Sequence, residues 1–135
     1  MENLQAQLFT DGGSRGNPGP AGIGWVITNV KSGGEYIGVA TNNVAEYKAL
    51  IRGLEECYKL GVKQVECFLD SNLVVNQMKG LYKIKEAHLA TLAGEAKKIE
   101  AKFASVTYTH IPREKNTLAD KEVNKALDTF SGRVP

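Results

Sequence analysis

Alternating apolar and polar positions open the chain. Leu4, Ala6 and Leu8 interleave with Gln5, Gln7 and Phe9, the period of two expected of a half-buried strand, and the segment runs into Thr10-Asp11 and a glycine-rich stretch. Asp11 is therefore expected to close a first strand. Beyond Gly12-Gly13-Ser14-Arg15-Gly16-Asn17-Pro18-Gly19-Pro20, two β-rich runs at 23–30 and 36–41 flank Lys31-Ser32-Gly33-Gly34, which reads as a hairpin turn. Together these predict a three-stranded antiparallel meander.

The period then changes to that of a helix. Asn42 and Asn43 offer cap side chains before a helical pattern at 44–60, and Gly61 is placed to end it in the left-handed conformation. Helical steps from Glu46 reach Leu50, Leu54 and Cys57, so a carboxylate lies in the first turn on the stripe that should face the sheet. Residues 62–69 read as a fourth strand ending at Asp70, 71–79 as a short helix, and 82–103 as a lysine-bearing helix with Leu89, Leu92, Ala96 and Ile99 on one face. A fifth strand is expected at 105–111. The last helix begins near Asn116-Thr117 and reaches Phe130, with Asp120 bordering the stripe of Val123 and Leu127.

This order of elements is α/β, with mixed pairing imposed by the opening meander. A right-handed crossover makes the fourth strand parallel to the first, which brings Asp11 and Asp70 to one rim of the sheet. With 135 residues, a single domain spanning 1–135 with one core is expected. The 42% of hydrophobic and 24% of charged residues are ordinary for a globular chain, and a net charge of +2 is too small a bias to identify a polyanionic partner. Cys57 and Cys67 are expected to be buried free thiols. No apolar run approaches a membrane span and none stands behind a basic start, so the expectation is a soluble, cytoplasmic protein with no membrane partner.

Several chemistries find no frame here. There is no P-loop, no G-x-G-x-x-G at a strand-to-helix junction, no cysteine pair at zinc-finger spacing and no nucleophile-elbow serine. What remains is a set of carboxylates, Asp11, Glu46, Asp70 and Asp120, each at the end of a regular element. A hard-oxygen cluster of this kind suits Mg²⁺ or Mn²⁺. Two like charges about 4 Å apart repel by roughly 4 kcal/mol at an effective dielectric near 20, so such a cluster favours divalent cations between its members. Two ions so held are suited to activating water and stabilising the leaving oxygen of a phosphodiester. Each residue alone has an ordinary explanation as a turn or first-turn acid.

The combination says more. The segment from Phe9 through Asp11-Gly12-Gly13-Ser14-Arg15-Gly16-Asn17 to Pro20 is followed in order by Thr41-Asn42-Asn43-Val44-Ala45-Glu46, by Asp70-Ser71, and by Arg113-Glu114-Lys115-Asn116-Thr117-Leu118-Ala119-Asp120. This series closely resembles type 1 ribonuclease H over nearly the whole chain. The resemblance implies a five-stranded mixed sheet, an antiparallel meander of three strands plus two parallel strands, with helices on both faces. It also implies a hydrolase, an endonuclease that cleaves the RNA strand of an RNA/DNA hybrid with two Mg²⁺ or Mn²⁺ ions, and a monomer.

The family's four metal-binding carboxylates map onto Asp11, Glu46, Asp70 and Asp120. Its contacts to ribose hydroxyls and the RNA backbone map onto Gly12, Asn17, Asn42, Asn43, Ser71 and Asn72, and its DNA-phosphate position onto Thr41. Short amides and exposed peptide groups are chemically suited to exchange hydrogen bonds with 2′-hydroxyls in a shallow minor groove. His110 stands ten residues before Asp120, the spacing of the family's mobile histidine, and Arg113 matches the arginine that many short relatives carry instead. The direct junction at 80–84 leaves out the basic protrusion of longer relatives. Lys83 and Lys85 beside it are expected to contact the DNA strand. Two alternatives stand beside this reading: a nuclease of the same fold acting on other nucleic acids, and a non-catalytic hybrid-binding module.

Overall fold

The computed structural model describes residues 4–130. Among these, five strands and four α-helices follow one another as β1 (Gln5–Ser14), β2 (Gly19–Ile27), β3 (Lys31–Ala40), α1 (Asn42–Lys59), β4 (Gln64–Leu69), α2 (Asn72–Met78), α3 (Ala87–Glu100), β5 (Ser105–His110) and α4 (Thr117–Phe130), with a 3-10 turn at Arg113–Lys115. The strands form one mixed sheet in the order β3-β2-β1-β4-β5. β1, β2 and β3 are antiparallel, whereas β4 runs parallel to both β1 and β5, as the crossover rule requires.

Alternation along β1 separates the layers. Leu8 and Gly12 face α1, while Asp11, paired with Gly24, points to the face covered by α4. On the α1 side Leu8, Leu50, Leu54, Val65 and Leu69 are fully buried and join Leu92 and Ala96 of α3 in one core. Truncating such a leucine to alanine costs about 2–5 kcal/mol. On the other face Val123 and Leu127 bury the apolar stripe of α4. Cys57 and Cys67 are buried free thiols. Burial, helped by the neighbouring Glu56 charge, pushes the Cys57 thiol up to about 12, and burial pushes Cys67 well above its ordinary value.

Four local expectations need correction. Asp11 does not end β1. The parallel ladder with β4 stops at Thr10, opposite Leu69, but β1 continues beside β2 as far as Ser14, opposite Ala21. Second, the hairpin between β2 and β3 turns at 28–30, where Asn29 takes a φ of 61°, and Gly33 and Gly34 lie inside β3. Those glycines answer to packing: a Cβ on Gly33 would sit 2.4 Å from the Trp25 ring, and one on Gly34 would sit 2.6 Å from the Glu122 carbonyl oxygen.

Third, α1 begins at Asn42, and its cap is Thr41, whose Oγ1 accepts from the Val44 N–H at 3.2 Å. Fourth, 82–86 is not helical. The N–H groups of Leu81 and Tyr82 both donate to the Asn76 carbonyl, at 2.8 and 3.1 Å, and Gly80 adopts a φ of 78°, so this stretch closes α2 before α3 starts at Ala87. The left-handed Gly61 after α1 is found as expected, with a φ of 78°.

Candidate active site

The site forms where β1 and β4 part. Asp11 follows the last β1–β4 pair, Asp70 follows the end of β4, and Glu46 reaches both from the second turn of α1, not from the first as the sequence predicts, because the helix starts two residues earlier, at Asn42. One carboxylate oxygen from each of Asp11, Glu46 and Asp70 lies within 4.8 Å of the others. The approach depends on Gly12. A Cβ there would lie 2.3 Å from the main chain of Ala45, so only glycine lets α1 come down on β1, and the Gly12 N–H then donates to Glu46 Oε1 at 3.0 Å. Asp120, in the first turn of α4, lines the same cleft of about 330 Å³ together with Arg113, Asn42 and Asn124.

Crowding like charges in a partly dry site disfavours ionisation. Burial, then the Asp70 and Asp120 charges, push the Asp11 carboxyl up to about 8. Burial and the charges of Asp11 and Asp70 hold Glu46 well above the usual carboxylate range, with the Gly12 N–H and Arg113 partly opposing them. Clustered carboxylates with this resistance to ionising together fit the donor set of a hard divalent cation, and Asp11, Glu46 and Asp70 are the residues placed to share one.

Around the carboxylates the polar residues are braced against one another. Asn42 Oδ1 accepts from the backbone N–H of Ser14 at 2.9 Å and from its hydroxyl at 3.2 Å. Asn17 Oδ1 accepts from the Asn42 N–H at 3.0 Å, which fastens the glycine-rich loop to the start of α1. Asn43 is exposed beside them. Ser71 caps α2, its Oγ accepting from the Val74 N–H at 3.2 Å. Asn72 is held at both ends, donating to the Tyr82 hydroxyl at 3.3 Å and accepting from Asn76 Nδ2 at 2.9 Å. His110 is exposed at the end of β5, in register with Leu69 and so beside the strand that leads to Asp70. Lys83 and Lys85 are exposed on the junction after α2.

Two arrangements were not foreseen in the sequence. Asn116, expected only to start the last helix, is buried and donates to Asp70 Oδ2 and to the Thr10 carbonyl, both at 2.9 Å. Asn124 Nδ2 donates to Asp120 Oδ2 at 3.2 Å, one helical turn away. The i,i+4 spacing of Asn124 was a usable signal. The Asn116 contact spans 106 residues of sequence to Thr10 and had none.

A family model described as reverse transcriptase-like matches residues 9–126. Ribonuclease HI of Halobacterium salinarum is 42% identical over 129 residues, 92% of this chain and 65% of that protein. The chain belongs to the type 1 ribonuclease H family. The bifunctional protein Rv2228c of Mycobacterium tuberculosis is 45% identical over 93% of this chain, but the match spans only 36% of that protein. The solved N-terminal ribonuclease H domain of Rv2228c superposes with a TM-score of 0.92 at 40% identity, covering 96% of this chain and 98% of that one. LC11-RNase H1, solved in complex with an RNA/DNA hybrid, gives 0.89 at 45% identity, covering 93% and 98%. Thus the chain spans a whole ribonuclease H domain of the solved relatives, and less than two thirds of the first two curated proteins it matches here. Among the described residues of this ribonuclease H, no helix is long and apolar enough to cross a membrane.

Proposed function

We propose that this ribonuclease H is an endonuclease that hydrolyses the RNA strand of RNA/DNA hybrids, using Mg²⁺ or Mn²⁺ and two ions per site. The observation that carries the reading is the convergence of Asp11, Glu46 and Asp70 within 4.8 Å, in a chain of this family. Asp11, Glu46 and Asp70 would hold one ion, and Asp11 with Asp120 would border the second. When bound, the ions supply Lewis acidity, which acidifies an attacking water and stabilises the departing oxygen of the phosphodiester.

The chain's own residues then recognise and orient the substrate. The Oδ1 atoms of Asn17 and Asn42 are occupied by backbone N–H groups, which fixes both amides and leaves their NH₂ groups as donors toward ribose 2′-hydroxyls. Asn43, Gly12, Ser71 and Asn72 extend that surface, and Thr41 takes a DNA phosphate. Arg113, lining the carboxylate cleft, brings the positive charge suited to a leaving phosphate, and His110 stands at the rim for product departure.

Incubating labelled RNA/DNA hybrid, duplex RNA and duplex DNA with the protein, in Mg²⁺, in Mn²⁺ and in EDTA, tests this. Cleavage confined to the RNA strand of the hybrid and abolished by EDTA is expected. Hybrid binding without cleavage would support a binding module instead, and equal cutting of duplex DNA would support a different nuclease.

A further inference from the structure

Asn116 lies between the 3-10 turn and α4 with only 1% of its surface exposed. Its amide nitrogen uses both hydrogens. One goes to the Thr10 carbonyl and the other to Asp70 Oδ2, each at 2.9 Å. Thr10 is the last β1 residue paired with β4, so the asparagine stands in for the next rung where the two strands separate and the carboxylate cleft opens.

The orientation of this amide follows from its surroundings. A flipped amide would set Oδ1 against two acceptors, a carbonyl and a carboxylate, so the nitrogen must face them. Oδ1 is left buried without a partner. Covering the Thr10 carbonyl requires a single N–H, and the second is directed at the carboxylate. Asp70 itself sits on the short bend between β4 and α2, a position that leaves its side chain free to rotate unless something holds it. The hydrogen bond on Oδ2 occupies one lone pair and leaves Oδ1 for a cation.

We infer that Asn116 is a positioning residue: it aims the Asp70 carboxylate at the divalent-cation site and ties that aim to the point where β1 and β4 diverge. The inference rests on the metal-dependent reading above and assigns to Asn116 a role in cation affinity. Outer-shell partners of metal-binding carboxylates typically contribute a factor of about 10–100 in affinity.

Titration of the nucleic-acid-free protein with Mn²⁺ by calorimetry tests it, on the wild type, Asn116→Ala, Asn116→Leu, Asp70→Asn and the Asp70→Asn, Asn116→Ala double variant, with folding checked by circular dichroism. Leucine keeps the asparagine's bulk but cannot donate. Both Asn116 variants are expected to bind Mn²⁺ at least about tenfold more weakly while folded. The double variant is expected to bind no more weakly than Asp70→Asn alone, because the carboxylate through which Asn116 acts is already gone. Wild-type affinity in folded Asn116→Ala or Asn116→Leu would overturn the inference, as would a full additive loss in the double variant. Failure of both single variants to fold would assign Asn116 to folding alone and overturn it too. A wild type that takes up no Mn²⁺ would remove the metal-dependent reading and this inference with it, a result distinguishable from unchanged affinity in the variants.

Discussion

The Gly12 N–H and the Glu46 carboxylate, 3.0 Å apart, bind the first strand to the second turn of α1 beside Asp11. This contact exists only because position 12 has no side chain. A Cβ would lie 2.3 Å from the carbonyl carbon and oxygen of Ala45 and 2.6 Å from the Glu46 nitrogen, all backbone atoms that cannot swing aside. Gly12→Ala is therefore expected to push α1 off β1, costing about 3 kcal/mol as overpacked sites do, and to abolish cleavage. Gly13→Ala is the control. Its nearest neighbour would be Asn42 Oδ1 at 3.9 Å, and its cost should stay below about 1 kcal/mol. Urea denaturation of both variants checks the contrast.

Asp70→Asn removes a charge that presses on both Asp11 and Glu46 while keeping the shape of the side chain and an acceptor for Asn116. Hybrid cleavage should fall below a few per cent of wild type, with metal-free stability level or higher. Retention of substantial cleavage after rigorous exclusion of contaminating nuclease would remove the active-site assignment.

The crowded carboxyls also set a pH dependence whose sign is definite. In the unfolded chain they ionise near pH 4, whereas in the metal-free fold Asp11 holds its proton up to about 8 and Glu46 is raised well above its ordinary value. Between those limits the folded state binds more protons than the unfolded one, so its stability should decline as pH rises from about 4 toward 8. Saturating Mg²⁺ stabilises the ionised forms and should flatten that decline. Denaturation curves at pH 5 and pH 8, with EDTA and with Mg²⁺, provide the test. A metal-free protein more stable at pH 8 than at pH 5 would contradict it.

Lys83 and Lys85 are exposed on the non-helical junction. If they grip the DNA strand, the Lys83→Ala, Lys85→Ala double variant should raise KM for hybrid and leave kcat nearly intact. It should also flatten the salt dependence by up to about two phosphates' worth, each contributing about 0.9 to the slope on B-DNA. Unchanged KM and salt slope would assign both lysines to solvent.

The convergence of Asp11, Glu46 and Asp70 was legible because the order of strands and helices constrained which segments meet, even though Asp11 lies inside β1 and not at its end. Glu46 shows this best, since helical steps from Leu50 and Leu54 place it over the sheet with no knowledge of the partner strand. Gly33 and Gly34 were misread because a glycine pair signals a turn and a close approach with the same letters, and only the positions of Trp25 and Glu122 distinguish them. The stretch before α3 was misread because its lysines and apolar residues imitate helical spacing, while the Asn76 carbonyl that captures two N–H groups there is a tertiary detail. Asn116 was invisible for a related reason. As a letter it is a cap, and its partners lie on β1 and at the end of β4.

The two buried thiols give this domain a native clock. Cys57 on α1 and Cys67 on β4 flank the same core, and their raised pKa values leave almost no thiolate in the closed fold. An alkylating reagent must wait for the α1–sheet layer to part, so the labelling rate counts openings of the framework that carries Glu46 toward Asp11. When reclosing outpaces labelling, that rate tracks the population of the open form. Cation binding at the rim can thus be followed as protection of sulfur atoms deep in the core, with no introduced probe.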